Sequence, residues 1–95
     1  MIISIASAAV DEPDAEYIYS AWSDMMVGER PAGLVDCYLS KTEDVLQMVS
    51  LWDTAESHDR ALSDRETHPA FGVFAACGVD PEHSVFHVIG HLGHG

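Results

Sequence analysis

Six histidines are the side chains of this sequence best suited to proton transfer: His58, His68, His83, His87, His91 and His94. A neutral imidazole near pH 7 can take a proton from a phenol or a carbon acid. His58 is the best placed candidate base, because it falls on the inner stripe of a predicted helix. It could equally be a core histidine with its hydrogen bonds satisfied. His87 is the second candidate, provided that its strand face turns toward the helices.

The spacing of the later histidines does not predict a metal site. His83, His87 and His91 are four residues apart, which on a helix could chelate an ion. The apolar residues between them favour a strand instead. Residues four apart on a strand are ~13 Å apart at ~3.3 Å per residue, too far to share one ion bound at ~2 Å. We expect no metal, flavin or haem as a resident cofactor, and the sequence has no Gly-rich phosphate loop.

Large apolar side chains could form the wall of a substrate cavity. Trp52 ends a buried-looking strand, where an indole either packs in the core or stacks on a flat aromatic ligand. Leu62 and Phe71, from the helical segments that follow, are further candidates for substrate contact. Tyr38 is either a residue of a dimer face or a hydrogen-bond donor in the pocket.

The junction after Trp52 determines how these residues meet. Asp53 or Thr54 can cap the first turn of the next helix, and Asp53-x-x-Glu56 is typical of a capping box. His58 stands one to two turns into that helix. A helix that rises ~1.5 Å per residue and folds back over the sheet brings Trp52 and His58 to the same end of a cavity between sheet and helices.

Hydrophobic periodicity predicts the elements that position these residues. We expect strands over residues 2–9, 34–40, 45–52 and 84–92, helices over 14–27 and 54–65, and a short helical turn over 70–76. The order β-α-β-β-α-β is that of the ferredoxin-like α+β arrangement, an antiparallel sheet with both helices on one face. A single domain over residues 1–95 accounts for the whole chain.

The third strand predicts a homodimer. Residues 45–52 are apolar on both faces apart from Gln47 and Ser50. Such a strand belongs to a sheet that is covered on both sides. The two helices cover one face, so we expect a second copy of the chain to cover the other.

Composition excludes several classes of partner. The formal net charge is −12, with 16 Asp and Glu against 4 Lys and Arg. Such a surface repels phosphate backbones and anionic membranes, so we expect neither nucleic acid nor membrane as a partner. The apolar N-terminal run lacks a positive n-region and is typical of a strand rather than a signal peptide. Cys37 and Cys77 form no disulfide framework, and we expect a cytoplasmic protein.

Two segments, PAGLVDCYL at 31–39 and VSLWDTAESH at 49–58, resemble the antibiotic biosynthesis monooxygenase family. The family pattern has a Pro-Gly-like turn, a hairpin, and a strand that ends in Trp before an acidic, Ser-containing helix start. The resemblance implies a dimeric α/β barrel, in which two sheets pack face to face and each chain holds a cavity between its sheet and its helices. Members include cofactor-free oxygenases of polycyclic phenols, haem-degrading enzymes, signal-molecule enzymes and proteins with no known activity.

The haem-degrading branch of that family fits this sequence poorly. That branch relies on an Asn in the first strand, and this sequence contains no Asn. It also uses a second Trp within the second helix, where Arg60 lies near the corresponding place. Its axial His follows that helix, and His68, the residue near that position, immediately precedes Pro69. We therefore do not expect haem degradation.

The resemblance implies a cofactor-independent monooxygenase acting on a small aromatic or polycyclic substrate. Without flavin or metal, dioxygen needs an electron-rich substrate anion, so the protein must supply an apolar cavity, a base and hydrogen-bond donors. Two alternatives stay open. One is a non-catalytic dimer that sequesters a small apolar molecule, and the other is a polyketide cyclase or isomerase that uses base chemistry without oxygen. The fold does not decide among them.

Overall fold

The computed structural model describes residues 1–28, 30–63, 69–75 and 77–90. Seven elements follow one another along the chain: β1 (Ile2–Ala9), α1 (Glu12–Val27), β2 (Leu34–Lys41), β3 (Val45–Trp52), α2 (Ala55–Ser63), α3 (Pro69–Ala75) and β4 (Glu82–His87). The predicted β-α-β-β-α-β order is confirmed, with the expected helical turn near residue 70 present as α3.

The four strands form one antiparallel sheet in the order β2-β3-β1-β4. In the centre, β1 pairs with β3 from Ile2↔Trp52 to Ala9↔Val45. On its other side β1 pairs with β4 from Ile2↔His87 to Ser7↔Glu82. The strands that meet at the centre are therefore distant in sequence, while β2 and β4 form the two edges.

One face of the sheet is buried beneath the helices. Alternate residues of the two central strands point to this helix-covered face and are buried: Ile2, Ser4, Ala6, Leu46, Met48, Ser50 and Trp52. From the helices, Ala15 and Ile18 of α1 and Val73 and Phe74 of α3 complete the core. The fold is the expected α+β, ferredoxin-like arrangement with its helices on one face of the sheet.

The opposite face of the sheet, here called the open face, carries no helix of the described chain. The intervening residues of β1 and β3 lie on it, among them Ile3, Ile5, Val49 and Leu51. Tyr38 of β2 and Phe86 of β4 extend this face, and their side chains are 60% and 52% exposed. As predicted, β3 is apolar on both of its sides.

The fourth strand is shorter than predicted and begins earlier. It spans Glu82–His87 rather than residues 84–92, because the ladder with β1 ends at the Ile2↔His87 pair. The N–H of Val88 bonds to the Met1 carbonyl at 3.0 Å, and residues 88–90 then leave the sheet. Residues 91 and 92 lie outside the described part of the chain.

The helix starts also differ from the sequence prediction in detail. α1 begins at Glu12 instead of residue 14, because Asp11 caps it and its Oδ1 accepts the N–H of Asp14 at 2.9 Å. α2 begins at Ala55, and the predicted residues 64 and 65 of this helix lie outside the described chain. None of the helices in the described ranges is long and apolar enough to cross a membrane.

Candidate functional site

Trp52 lies at the end of β3, wholly enclosed on the helix-covered face. It packs with Ile2 of β1, Leu34 of β2 and Ala61 of α2, a second core cluster beside the main one. The indole therefore links three strands to the second helix. This placement agrees with the interpretation of Trp52 as a core residue. That Trp52 also forms the wall of a ligand cavity stays a prediction.

His58 is brought against Trp52 by the turn between β3 and α2. The centroids of the two rings are 5.5 Å apart and their planes meet at 77°, an edge-to-face contact. The His58 side chain is only 2% exposed. The Asp59 carboxylate, which is largely in solvent, lies 3.7 Å from its Nδ1. The expected proximity of Trp52 and His58 is therefore present in the folded chain.

The start of α2 that positions His58 is fixed by a small polar network. Thr54 caps the helix, since its Oγ1 accepts the N–H of Ser57 at 3.1 Å. The capping pair is thus Thr54 and Ser57, and the predicted box of Asp53 and Glu56 is wrong. A hydrogen bond from the Ser57 hydroxyl lowers the pKa of the Asp53 carboxyl; burial opposes this shift, and bonds from Thr54 add to it.

A second imidazole, His83 of β4, lies against His58 from the sheet side. The ring centroids are 5.8 Å apart with an interplanar angle of 22°, a stacked arrangement. The Nε2 atom of His83 is 2.8 Å from the hydroxyl of Ser4, a fully buried residue of β1. Burial lowers the pKa of His83 below the ordinary histidine value, and the neighbouring His58 lowers it further. The neutral imidazole is therefore favoured at pH 7.

His83 and Ser4 are the residues that the sequence analysis did not select. The predicted strand began at residue 84, which left His83 in the preceding turn. With β4 beginning at Glu82, alternation places His83, Val85 and His87 on one face. No local pattern marked a strand start two residues earlier, at Glu82, and His83 was missed for that reason. Ser4, the partner of His83, could have been noticed because it is a serine in the middle of an apolar strand.

The other two candidate catalytic residues lie on different faces of the sheet. His87 pairs with Ile2 and so lies on the helix-covered face, as its role as a base requires, four residues and about 13 Å further along β4 than His83. Its side chain is exposed. Tyr38 lies on the open face, because its neighbour Cys37 faces α1, where the Sγ accepts the Trp22 indole N–H at 3.3 Å. Of the two expectations for Tyr38, its position matches the dimer face.

The structure describes the two remaining candidates for substrate contact in less detail. Leu62 is half-buried on α2, next to Ala61 of the Trp52 cluster. Phe71 lies within α3, and its side chain is outside the described part of the structure. Substrate contact by either residue stays a prediction.

A cleft of about 290 Å³ opens at the far end of β3 from Trp52. It lies between α1 and the β2–β3 hairpin, lined among others by Tyr19, Leu39 and Leu46. Neither Trp52 nor His58 lines this cleft. Within the described ranges no three His, Cys, Asp or Glu side chains converge as metal ligands would, and His68, His91 and His94 lie outside those ranges.

Comparison with solved structures identifies the fold. A protein of Deinococcus radiodurans assigned to the antibiotic biosynthesis monooxygenases superposes with a TM-score of 0.75 at 11% identity, covering 98% of this chain and 97% of that one. SnoaB, a cofactor-independent oxygenase from Streptomyces nogalater, gives 0.69 at 15% identity over 98% and 97% of the two chains. MhuD, a heme-degrader from Mycobacterium tuberculosis, gives 0.67 at 16% identity over 98% and 100%.

These similarities extend over nearly the whole chain, but they concern the course of the backbone and not the amino-acid sequence. The expected fold, that of the antibiotic biosynthesis monooxygenases, is confirmed. No protein-family model and no curated protein sequence matches the chain. At such low identity the chemistry has to be argued from the side chains of this chain itself.

Proposed function

We propose that this protein is a cofactor-independent monooxygenase acting on a small aromatic or polycyclic substrate. The observation that carries the proposal is the His58 imidazole, which contacts the Trp52 indole on one side and stacks on the His83 imidazole on the other. The same fold in SnoaB belongs to a cofactor-independent oxygenase, which supports the same class of reaction here.

His83 supports base chemistry because of its protonation state. Burial and the neighbouring His58 lower its pKa, so the neutral ring, the form that can take a proton, is favoured at physiological pH. A phenol or an anthrone that loses this proton becomes an electron-rich anion. Such an anion can pass electrons to dioxygen without a flavin or a metal, and a positioned base accelerates its formation by about 10²–10⁴-fold.

The enclosed aromatic surroundings support an aromatic substrate. The flat rings of Trp52 and His58 contact each other in the interior, and Trp52 packs with an apolar cluster that includes Ile2 and Ala61. Dry surroundings strengthen the electrostatic interactions of a buried anion with the groups that hold it. The partner we propose is therefore a small apolar or aromatic molecule with one acidic proton.

The overall reaction balances without a cofactor. For an anthrone, the methylene carbon loses two hydrogens and gains one oxygen atom, which gives the anthraquinone. The second oxygen atom of dioxygen leaves as water together with those two hydrogens. The substrate supplies all the electrons that reduce dioxygen, and dioxygen is the only co-reactant.

Oxygen consumption with anthrone tests the proposal. Purified protein should consume one dioxygen per anthraquinone formed, at a rate well above autoxidation without protein. The His58→Gln/His83→Gln protein should lose at least ~10² of this rate. The matched control is Glu56→Gln, which alters an exposed side chain of α2 and should keep the rate.

The alternative functions give other results in the same assay. Ligand binding without oxygen uptake would indicate a sequestering protein. Conversion of a polyketide-like substrate under nitrogen would indicate a cyclase or isomerase. Either result contradicts the proposed oxygenase. Haem degradation is not proposed, because the sequence contains no Asn and α2 contains no Trp between Ala55 and Ser63.

A further inference from the structure

The cleft between α1 and the β2–β3 hairpin is separate from the candidate site, and the backbone holds its two walls together. The N–H of Val10, just before α1, bonds to the carbonyl of Asp44 in the hairpin turn at 2.9 Å. The cleft is therefore a preformed feature of the fold. Its volume of about 290 Å³ lies at the small end of the range for small-molecule sites, which is about 300–1,000 Å³.

The deepest lining of this cleft is apolar. Ala15 of α1 and Leu46 of β3 are buried there, and Leu39 of β2 is half-buried beside them. Tyr19 of α1 also lines the cleft, and it is largely exposed to solvent. A surface of this kind suits the hydrocarbon or aromatic part of a small molecule, because apolar area leaves water when the molecule binds.

Charged side chains of opposite sign line the two walls of the cleft. Glu12 and Glu16 are four residues apart on α1, so they lie on one face of that helix. Lys41, the one lysine of the sequence, ends β2 on the opposite wall and pairs in register with Leu46. Within the described part of the chain, Lys41 forms no ion pair with either glutamate. Two carboxylates and one ammonium group thus line the same space from its two sides.

We propose that this cleft binds a free amino acid with an apolar or aromatic side chain. The ammonium group of the ligand lies against Glu12 and Glu16, its carboxylate against Lys41, and its side chain on Leu39 and Leu46. A molecule with only an ammonium group would be repelled by Lys41, and one with only a carboxylate would be repelled by the two glutamates. The site is independent of the proposed oxygenase activity, because other residues than the histidine pair line it.

Three probes of similar shape separate the contributions of the two charged groups: phenylalanine, phenethylamine and 3-phenylpropanoate. Phenethylamine lacks the carboxylate, and 3-phenylpropanoate lacks the ammonium group. Calorimetric titration near neutral pH should give phenylalanine at least ~5-fold tighter binding than either analogue, because each analogue lacks one charge-assisted interaction. An analogue that binds as tightly as phenylalanine, or no binding of phenylalanine up to ~10 mM, would overturn the proposal.

Removal of the charge from one wall at a time should change these affinities in opposite patterns. Lys41→Gln should weaken phenylalanine binding at least ~5-fold and should not weaken phenethylamine binding. Glu12→Gln/Glu16→Gln should weaken phenylalanine binding by a similar factor and should not weaken 3-phenylpropanoate binding. The matched controls are Arg60→Gln and Glu56→Gln, which alter exposed charges of α2 outside the cleft and should bind all three probes like the wild type. Equal losses in the variants and their controls would contradict the assigned contacts.

Backbone amide spectra locate the bound ligand. Saturating phenylalanine should shift the amide signals of Ala15, Leu39 and Leu46 more than those of Ser57 and His58. Larger shifts at Ser57 and His58 would contradict the cleft as the binding site. Because these titrations involve no turnover, their result does not depend on whether the protein consumes oxygen with anthrone.

Discussion

The backbone carbonyl of Gly33 accepts a hydrogen bond from the backbone N–H of Asp53 at 2.9 Å. This bond joins the turn before β2 to the residue that follows β3. Gly33 has a φ angle of 88°, and a β-carbon there would collide with the Cβ and Oγ of Ser57. The first turn of α2, which carries His58, therefore packs directly against the backbone of Gly33.

Replacement of Gly33 by alanine should destabilise the fold more than the same change at Gly78. Gly78 also has a positive φ, of 70°, but its added β-carbon would meet no atom within 4 Å. Gly78→Ala should cost about 1–2 kcal/mol from the left-handed backbone alone. Gly33→Ala should add about 1–3 kcal/mol of overpacking against Ser57. Denaturant unfolding measures both, and equal losses would contradict the close contact.

Truncation of Trp52 should lower the free energy of unfolding by about 3–5 kcal/mol, because a fully enclosed indole is removed. Trp22→Ala is the control, since this indole is only half-buried beside Cys37. Its loss should be smaller by at least about 1 kcal/mol. Urea unfolding followed by circular dichroism distinguishes the two, and a Trp22 loss as large as that of Trp52 would contradict the packing argument.

The protein should be a homodimer joined through the open face. Light scattering at micromolar concentration should give twice the 10.3 kDa of one chain. The interface should exceed about 1,200 Å² in total if it is obligate. Val49 lies opposite Ile5 on this face, so Val49→Glu should give monomers. Tyr17→Glu, on the exposed side of α1, should stay dimeric. A wild-type mass of one chain would contradict the dimer.

Stability should decrease as the pH falls below about 6.5, the ordinary pKa of histidine, partly because of His83. Its pKa is lowered in the folded protein by burial and by His58, so the unfolded chain binds more protons in this range. The loss should level off once folded His83 is also protonated. His83→Gln should flatten the decrease in stability measured by urea unfolding between pH 7 and pH 5.

The strand-to-helix junction at Trp52 could be predicted from sequence because its signals are local. An apolar run of eight residues ended by polar capping residues specifies a strand followed by a helix, and β3 spans the predicted Val45–Trp52. The contact between Trp52 and His58 followed from the same short segment. The choice between two adjacent capping residues, Asp53 and Thr54, depended on side-chain geometry that the sequence does not contain.

The role of β4 could not be predicted in the same way, because its limits are set by a distant strand. The pairing of Ile2 with His87 ends the ladder, and no pattern within residues 82–92 marks that point. The bond between Ser4 and His83 joins residues 79 positions apart for the same reason. The part of the site that depends on tertiary pairing is the part that the sequence analysis missed.

The order β2-β3-β1-β4 also determines how the chain must fold. Its two central strands, β1 and β3, are paired from Ile2↔Trp52 to Ala9↔Val45, so their partners are separated by 36 to 50 positions. The ends of a long loop must meet before this pairing gains any contact energy, and such topologies fold in roughly milliseconds to seconds. The β2–β3 hairpin joins two strands that are adjacent in sequence, so it can form early. Its strand β3 has no partner on the other side until β1 pairs with it. The rate-limiting event in refolding should therefore be the docking of β1 onto this hairpin. A substitution such as Ala6→Gly, at the middle of β1, should slow folding more than Ser40→Gly at the edge.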